Sequence, residues 1–131
     1  MVSARDTTAK NIKPLTGAIV RRYTAGGAVS PGQLVSINSS GYVVAANTAT
    51  ITLAKVAGVA LGDSDAASGD RVDVVVHGPV QCMTGSTIGA TIYATDTAGA
   101  LGETAGTKTS VAGHAESATV LFVRPFQTVF A

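Results

Sequence analysis

The stretch from Val56 to Val80, VAGVALGDSDAASGDRVDVVVHGPV, narrows the possible folds more than any other part of the chain. It opens on a small-residue apolar run, crosses the polar turn GDSDAASGD, and enters the alternating segment Arg71-Val72-Asp73-Val74-Val75-Val76. β-Branched residues at this density pack well on a pleated surface and crowd a helix. The Gly, Asp and Ser clusters are turn chemistry. The pattern predicts a strand, an exposed loop, a strand, a tight corner at Gly78-Pro79, and a further strand running on to Met83. By strand parity, Val72, Val74 and Val76 are expected to face the core. Asp73 belongs on the outer or intersubunit face, and Val75 at an interface or under a loop.

The rest of the chain follows the same grammar. Gly17 to Tyr23, Gln33 to Ile37, Tyr42 to Ala45, Thr91 to Ala94, Val111 to Ala115 and Ala118 to Val123 read as strands, separated by Gly-, Asn- and Ser-rich turns. Residues 46 to 54 fit a loop or a short strand. No 3.6-residue apolar period persists over three turns, so the expected fold is all-β, a small Gly-cornered β-barrel of short antiparallel strands. Residues 1–16 lack periodicity and are read as an extended N-terminal arm rather than core. Residues 17–125 form the barrel domain, and 126–131 an apolar C-terminal tail.

A weak internal repeat runs through the barrel. Gly32-Gln-Leu-Val-Ser-Ile, a turn ending at Gly41, and Val56-Ala-Gly-Val-Ala form one copy. Gly89-Ala-Thr-Ile-Tyr-Ala, a turn ending at Gly99, and Val111-Ala-Gly-His-Ala form the other. Each copy reads as a hairpin followed by a closing strand. A sequence this rich in Ala, Gly and Val also produces such matches by chance.

Composition bears on partners. Only 13% of the 131 residues are charged, against about 25% in an average globular chain. The formal net charge is +1, which gives no global field toward nucleic acid or membrane. A neutral surface with few charges does little to resist association, so an oligomer or a docked protein is expected. Five of the nine basic residues, Arg5, Lys10, Lys13, Arg21 and Arg22, fall in the first 22 positions, opposed there only by Asp6. Such a segment is either a solvated tail or an arm that docks on an acidic surface. It has no aromatic interleaving for base stacking. A single cysteine, Cys82, allows no intrachain disulfide and fits folding in a reducing cytoplasm. No secretory signal and no membrane-length apolar run is seen.

Catalytic grammar is absent from the reading. His77 and His114 are the only histidines and fit structural or surface roles better than ligand roles. Cys82, beside Met83, reads as a buried inert thiol. Asp63, Asp65, Asp70 and Asp73 cluster without the calcium-loop spacing and read as turn residues. Phosphate-loop and dinucleotide fingerprints do not occur. No enzyme, metal or cofactor is expected.

The order of segments carries a resemblance. V-S-P-G-Q-L-V (Val29 to Val35), G-Y-V-V-A-A (Gly41 to Ala46), V-A-G-V-A-L (Val56 to Leu61), A-S-G-D-R-V-D-V-V-V-H-G-P-V (Ala67 to Val80), G-A-T-I-Y-A-T-D-T-A-G-A-L (Gly89 to Leu101) and A-T-V-L-F-V-R-P (Ala118 to Pro125) follow one another. Over residues 17 to 125 this resembles the capsid decoration, or capsid cement, proteins of tailed bacteriophages. The resemblance implies a non-enzymatic β-barrel that joins the outer face of the head after expansion. It implies a homotrimer that clamps neighbouring major capsid subunits against DNA pressure, made in the host cytoplasm and resident on the virion. The implied partners are the major capsid protein and further copies of the chain, with no nucleic acid and no membrane. Arg5, Lys10 and Lys13 are then candidate capsid-binding arm residues. Arg21, Arg22, Asp73, Phe126 and Phe130 are candidate intersubunit or capsid contacts. The arm is longer and more basic than in the shortest members, and the chain runs past the last strand, so either terminus is a candidate for the main contact. A virion spike or fibre module that binds a cell-surface ligand is the competing class, though the chain has no Trp and only Tyr23, Tyr42 and Tyr93 for sugar stacking. The P-G-Q-L-V run is shared with lipoyl-carrier barrels, but Lys55 and Lys108 lie outside the expected hairpin tip.

Overall fold

Short β-branched runs between glycine turns build strand after strand in a computed structural model that describes residues 4–50, 53–62 and 65–125. The strands are β1 (Ala4–Arg5), β2 (Lys13–Pro14), β3 (Ile19–Thr24), β4 (Leu34–Ile37), β5 (Val43–Ala45), β6 (Gly58–Ala60), β7 (Arg71–Gln81), β8 (Met83–Thr84), β9 (Thr91–Ala94), β10 (Leu101–Gly102), β11 (Val111–Ala115) and β12 (Val120–Val123). A 3-10 turn at Ala9–Asn11 lies between β1 and β2. Ten strands form one sheet in the order β10-β9-β11-β12-β7-β6-β4-β5, with β2 and β3 also paired to β7, while β1 pairs β8. The fold is all-β, and this antiparallel sheet curls into an open half-barrel. At one side it curls far enough for Ala25, just past β3, to bridge Val43 of β5.

The internal repeat is present in the backbone. β5-β4-β6-β7 and β10-β9-β11-β12 have the same order and meet where β7 pairs β12. Their registers match: Leu34 pairs Val59 and Val35 pairs Gly58 in the first unit, while Thr91 pairs His114 and Ile92 pairs Gly113 in the second. Hydrogen bonds outside the ladders match too. The Gly32 N–H donates to the Ala60 carbonyl at 2.8 Å, and the Gly89 N–H to the Ala115 carbonyl at 2.7 Å. Gly58 and Gly113 are glycine for one reason. A Cβ would lie 2.1 Å from the Val75 carbonyl oxygen at Gly58, and 1.9 Å from that of Phe122 at Gly113.

The organising stretch departs from the expected strand, corner, strand. Residues 71–81 form one strand, and Gly78-Pro79 lies inside it. The chain does not turn there; it changes face. Val72 and Val74 are buried in one core, as parity predicts, but Val75 is buried in the other. Val76 packs against the same core as Val72 and Val74, on the face parity predicts, and is partly buried there. The register against β3 slips where Ile19 pairs His77 and Val20 pairs Val75. This extra residue is a β-bulge, which reverses the parity beyond it. Val80 and Cys82 therefore join Val75 in the larger core. Gly78 permits the geometry with φ of +108°, a region that disfavours side chains. Its missing Cβ also leaves room for Ala18 Cα, which would otherwise lie 2.8 Å away.

Two cores result. The smaller holds Ala25, Val29, Val35, Val43, Ala60, Val72 and Val74, inside the curl formed by β3 to β7. The larger lies between the units and joins Leu34, Val59 and Val75 to residues such as Ile92, Leu121 and Val123.

The segment read as an arm outside the core lies against the molecule's own sheet from Ala4 onward. Ala4 and Arg5 pair with Thr84 and Met83, and Lys13 and Pro14 with Gln81 and Val80. The Asp6 N–H donates to the Cys82 carbonyl at 2.9 Å, and Ile12 is buried in the larger core. β7 extends beyond β3, and its surplus backbone groups need partners near a core. The segment supplies them. It shows no apolar period because a rim strand needs only an occasional side chain inside.

Candidate docking surface

β7 is paired on both edges, whereas β3 is paired on one. Val74 sits opposite Ala60 of β6 on one side and opposite Arg21 of β3 on the other. Beyond β3, among the described residues, no strand follows; the bridge from Ala25 to Val43 lies past its end. Ile19 is 55% exposed and Val20 42%, and Leu15 is exposed just upstream. A β-branched edge left uncovered is a template for another chain, and proteins usually blunt such edges with charge. Here Arg21 and Arg22 follow the exposed pair directly.

The two arginines differ. The Arg22 Nε donates to Asp73 Oδ1 at 2.9 Å, an ion pair on the outer surface. The hydrogen bond to Asp73, and then its charge, raise the Arg22 pKa further above its already high ordinary value. Arg21 has no ion pair among the described residues. It lines a groove of about 420 Å³ at the open mouth of the smaller core, with Tyr23, Ile37, Lys55, Val76 and Pro125. Ile37, Ala57 and Val76 give that groove an apolar part, and its charged lining is basic.

The sequence-predicted residues therefore do not form one cluster. Lys13, Arg21, Arg22 and Asp73 lie along the β2–β3 rim and its β7 partner. Lys10 is exposed on the 3-10 turn. Arg5 is half-buried, and its Nη1 donates to the Pro31 carbonyl at 3.0 Å, a bond that fixes β1 to the loop before β4. Phe126 and Phe130 lie outside the described residues. Sequence reasoning missed Ile19, Val20, Ile37 and Lys55. The Ile19-Val20-Arg21-Arg22 run was itself the available signal: apolar residues flanked by charge in a strand.

Other chemistry-bearing groups have structural partners. Cys82 is buried, and desolvation, with the charge of Asp6 second, pushes its pKa up to about 12, so it is a poor nucleophile. Asp96 accepts from Thr48 Oγ1 at 2.7 Å, Thr107 Oγ1 at 2.6 Å and Thr107 N–H at 2.9 Å. These bonds, those from Thr107 and Thr48 side chains first, hold its carboxyl below the ordinary range. Asp70 accepts from the Ala67 N–H within its turn. Among the described residues no three His, Cys, Asp or Glu side chains converge as a metal site. No helix among them is long and apolar enough to cross a membrane. On the outer face of the second unit, Phe122 lies between His114, stacked at 5.4 Å, and His77, edge-on at 5.3 Å. A scan against protein-family models finds no match to this chain, and a search of curated proteins finds no matching relative.

Proposed function

We propose that this protein is a non-enzymatic decoration protein of a tailed-bacteriophage head. It binds the outer surface of the expanded shell as a homotrimer and cements neighbouring major capsid subunits against DNA pressure. The observation that carries the reading is the open β3 rim, apolar at Ile19 and Val20 and basic at Arg21. An uncovered edge beside a half-formed groove is a surface waiting for a protein partner. The segment order that resembles the decoration family supports the same reading, and so does the all-β half-barrel. With residues 4–14 laid on the chain's own sheet, the rim takes the docking role that the sequence assigned to the arm.

A second reading, a spike or fibre module for a cell-surface ligand, draws on the outer face of the second unit. There Tyr93, His114 and Arg124 line a dimple of about 430 Å³. Co-sedimentation with phage heads separates the two. Binding to expanded heads and not to unexpanded ones is expected. Equal binding to both, or to neither, would reject the decoration role.

A further inference from the structure

We infer that β3 docks by strand addition, taking an extended, acidic and apolar segment of the capsid subunit as the next strand of the sheet. The inference rests on the decoration reading and names the partner's chemistry at that same rim.

Backbone geometry comes first. Antiparallel ladders alternate, so every second residue directs its N–H and C=O to one neighbour and the intervening residues direct theirs to the other side. The Ala25 N–H donates to the Asp70 carbonyl at 2.8 Å, so Ala25 faces β7's line. Counting back through the unslipped register, Tyr23 and Arg21 face β7 as well. Val20 and Arg22 therefore direct their backbone groups outward, where no described strand receives them, whereas at Thr24 β5 meets the edge through the Ala25–Val43 bridge. Two residues at this spacing, Val20 and Arg22, offer the ladder positions that strand addition needs.

Side chains then select the occupant. Arg21 and Tyr23 line the groove with Ile37 and Val76, so alternate residues of an added strand would enter an apolar slot beside Arg21 and Lys55. A second copy of β3 is a poor occupant. Antiparallel pairing of two β3 strands would set the Arg21-Arg22 pairs against each other, and like charges directly opposite destabilise a sheet. A carboxylate opposite Arg21 meets a guanidinium that has no ion pair among the described residues.

The test uses the full chain and expanded heads. Hydrogen exchange of peptides covering residues 17–25 is followed with and without heads. The amides of β3 should slow at least tenfold on docking, while those of β12, interior to the sheet, change little. Arg22→Pro removes an outward donor without removing a ladder bond to β7, and Arg22→Ala removes only the side chain. Arg22→Pro should weaken head binding at least tenfold more than Arg22→Ala, and Arg21→Glu should weaken it by a comparable factor. Should Arg22→Pro unfold by circular dichroism, wild-type exchange decides. Head binding with unchanged β3 exchange would overturn strand addition and leave the decoration role standing. Amides of Val20 and Arg22 already protected in the free protein would also overturn it, because the chain's own residues would then hold the edge. Wild-type protein that ignores heads altogether would remove the decoration reading and the capsid partner together.

Discussion

Leu34, Val59 and Val75 form a cross-strand row in the first unit; Thr91, His114 and Phe122 form the corresponding row in the second. The backbone frame is shared, yet the first row is fully buried while Thr91 and His114 are exposed and Phe122 is half-buried. The difference lies in what covers the back of each sheet. The second unit folds over the back of the first, so the first row faces the larger core. Nothing described covers the back of the second, so its row is free to carry polar and aromatic groups. Register is set by the glycines, and side-chain character by the covering layer.

The largest effects should come where the two units are the same. Gly58→Ala and Gly113→Ala each force a Cβ against a carbonyl oxygen, and each should cost about 3 kcal/mol or more in denaturant melts. A tolerated change at one and a damaging change at the other would break the equivalence. Where the units differ, exchange should be asymmetric. Leu34→Thr removes buried methyl groups and buries a hydroxyl, at about 3 kcal/mol, whereas Thr91→Leu at the exposed counterpart should stay within about 0.5 kcal/mol of wild type. Equal costs would mean that both rows are covered.

A smaller effect tests the core between the units. Cys82 keeps its proton in the folded state up to about pH 12, but the unfolded chain releases it from near pH 9.0. The unfolded state then binds fewer protons, so stability is unaffected below that range and falls by about 1.4 kcal/mol per pH unit within it. The difference between wild type and Cys82→Ala isolates this slope from lysine and tyrosine titration. A flat difference would place the thiol in water. The smallest effect belongs to Asp73→Asn, whose partner Arg22 is solvated; melts should not resolve it from wild type.

Much of this was legible in the chain. Glycines at 32, 41 and 58, and again at 89, 99 and 113, marked both units, because turns and close strand contacts leave few other residues possible. Val72 and Val74 were placed inward by parity alone. The return of Val80 and Cys82 to the face of Val75 was not legible, because the bulge that reverses parity there depends on how β3 and Gly78 meet, a contact between residues far apart in sequence. The burial of Ile12 was hidden for a similar reason: a single inward residue on a rim strand leaves no period to read. At the rim, β-branched residues at 19 and 20 look the same whether a strand is interior or at an edge, and only the adjoining Arg21-Arg22 pair marked it as an edge.

The most direct measurement is a cryo-EM reconstruction of the decorated head. The β3 rim should face the shell, with density for a capsid strand continuing the sheet beyond Ile19–Thr24, and copies should meet around three-fold positions. A map with isolated copies, or with the β3 rim in solvent and another face on the shell, would contradict the account.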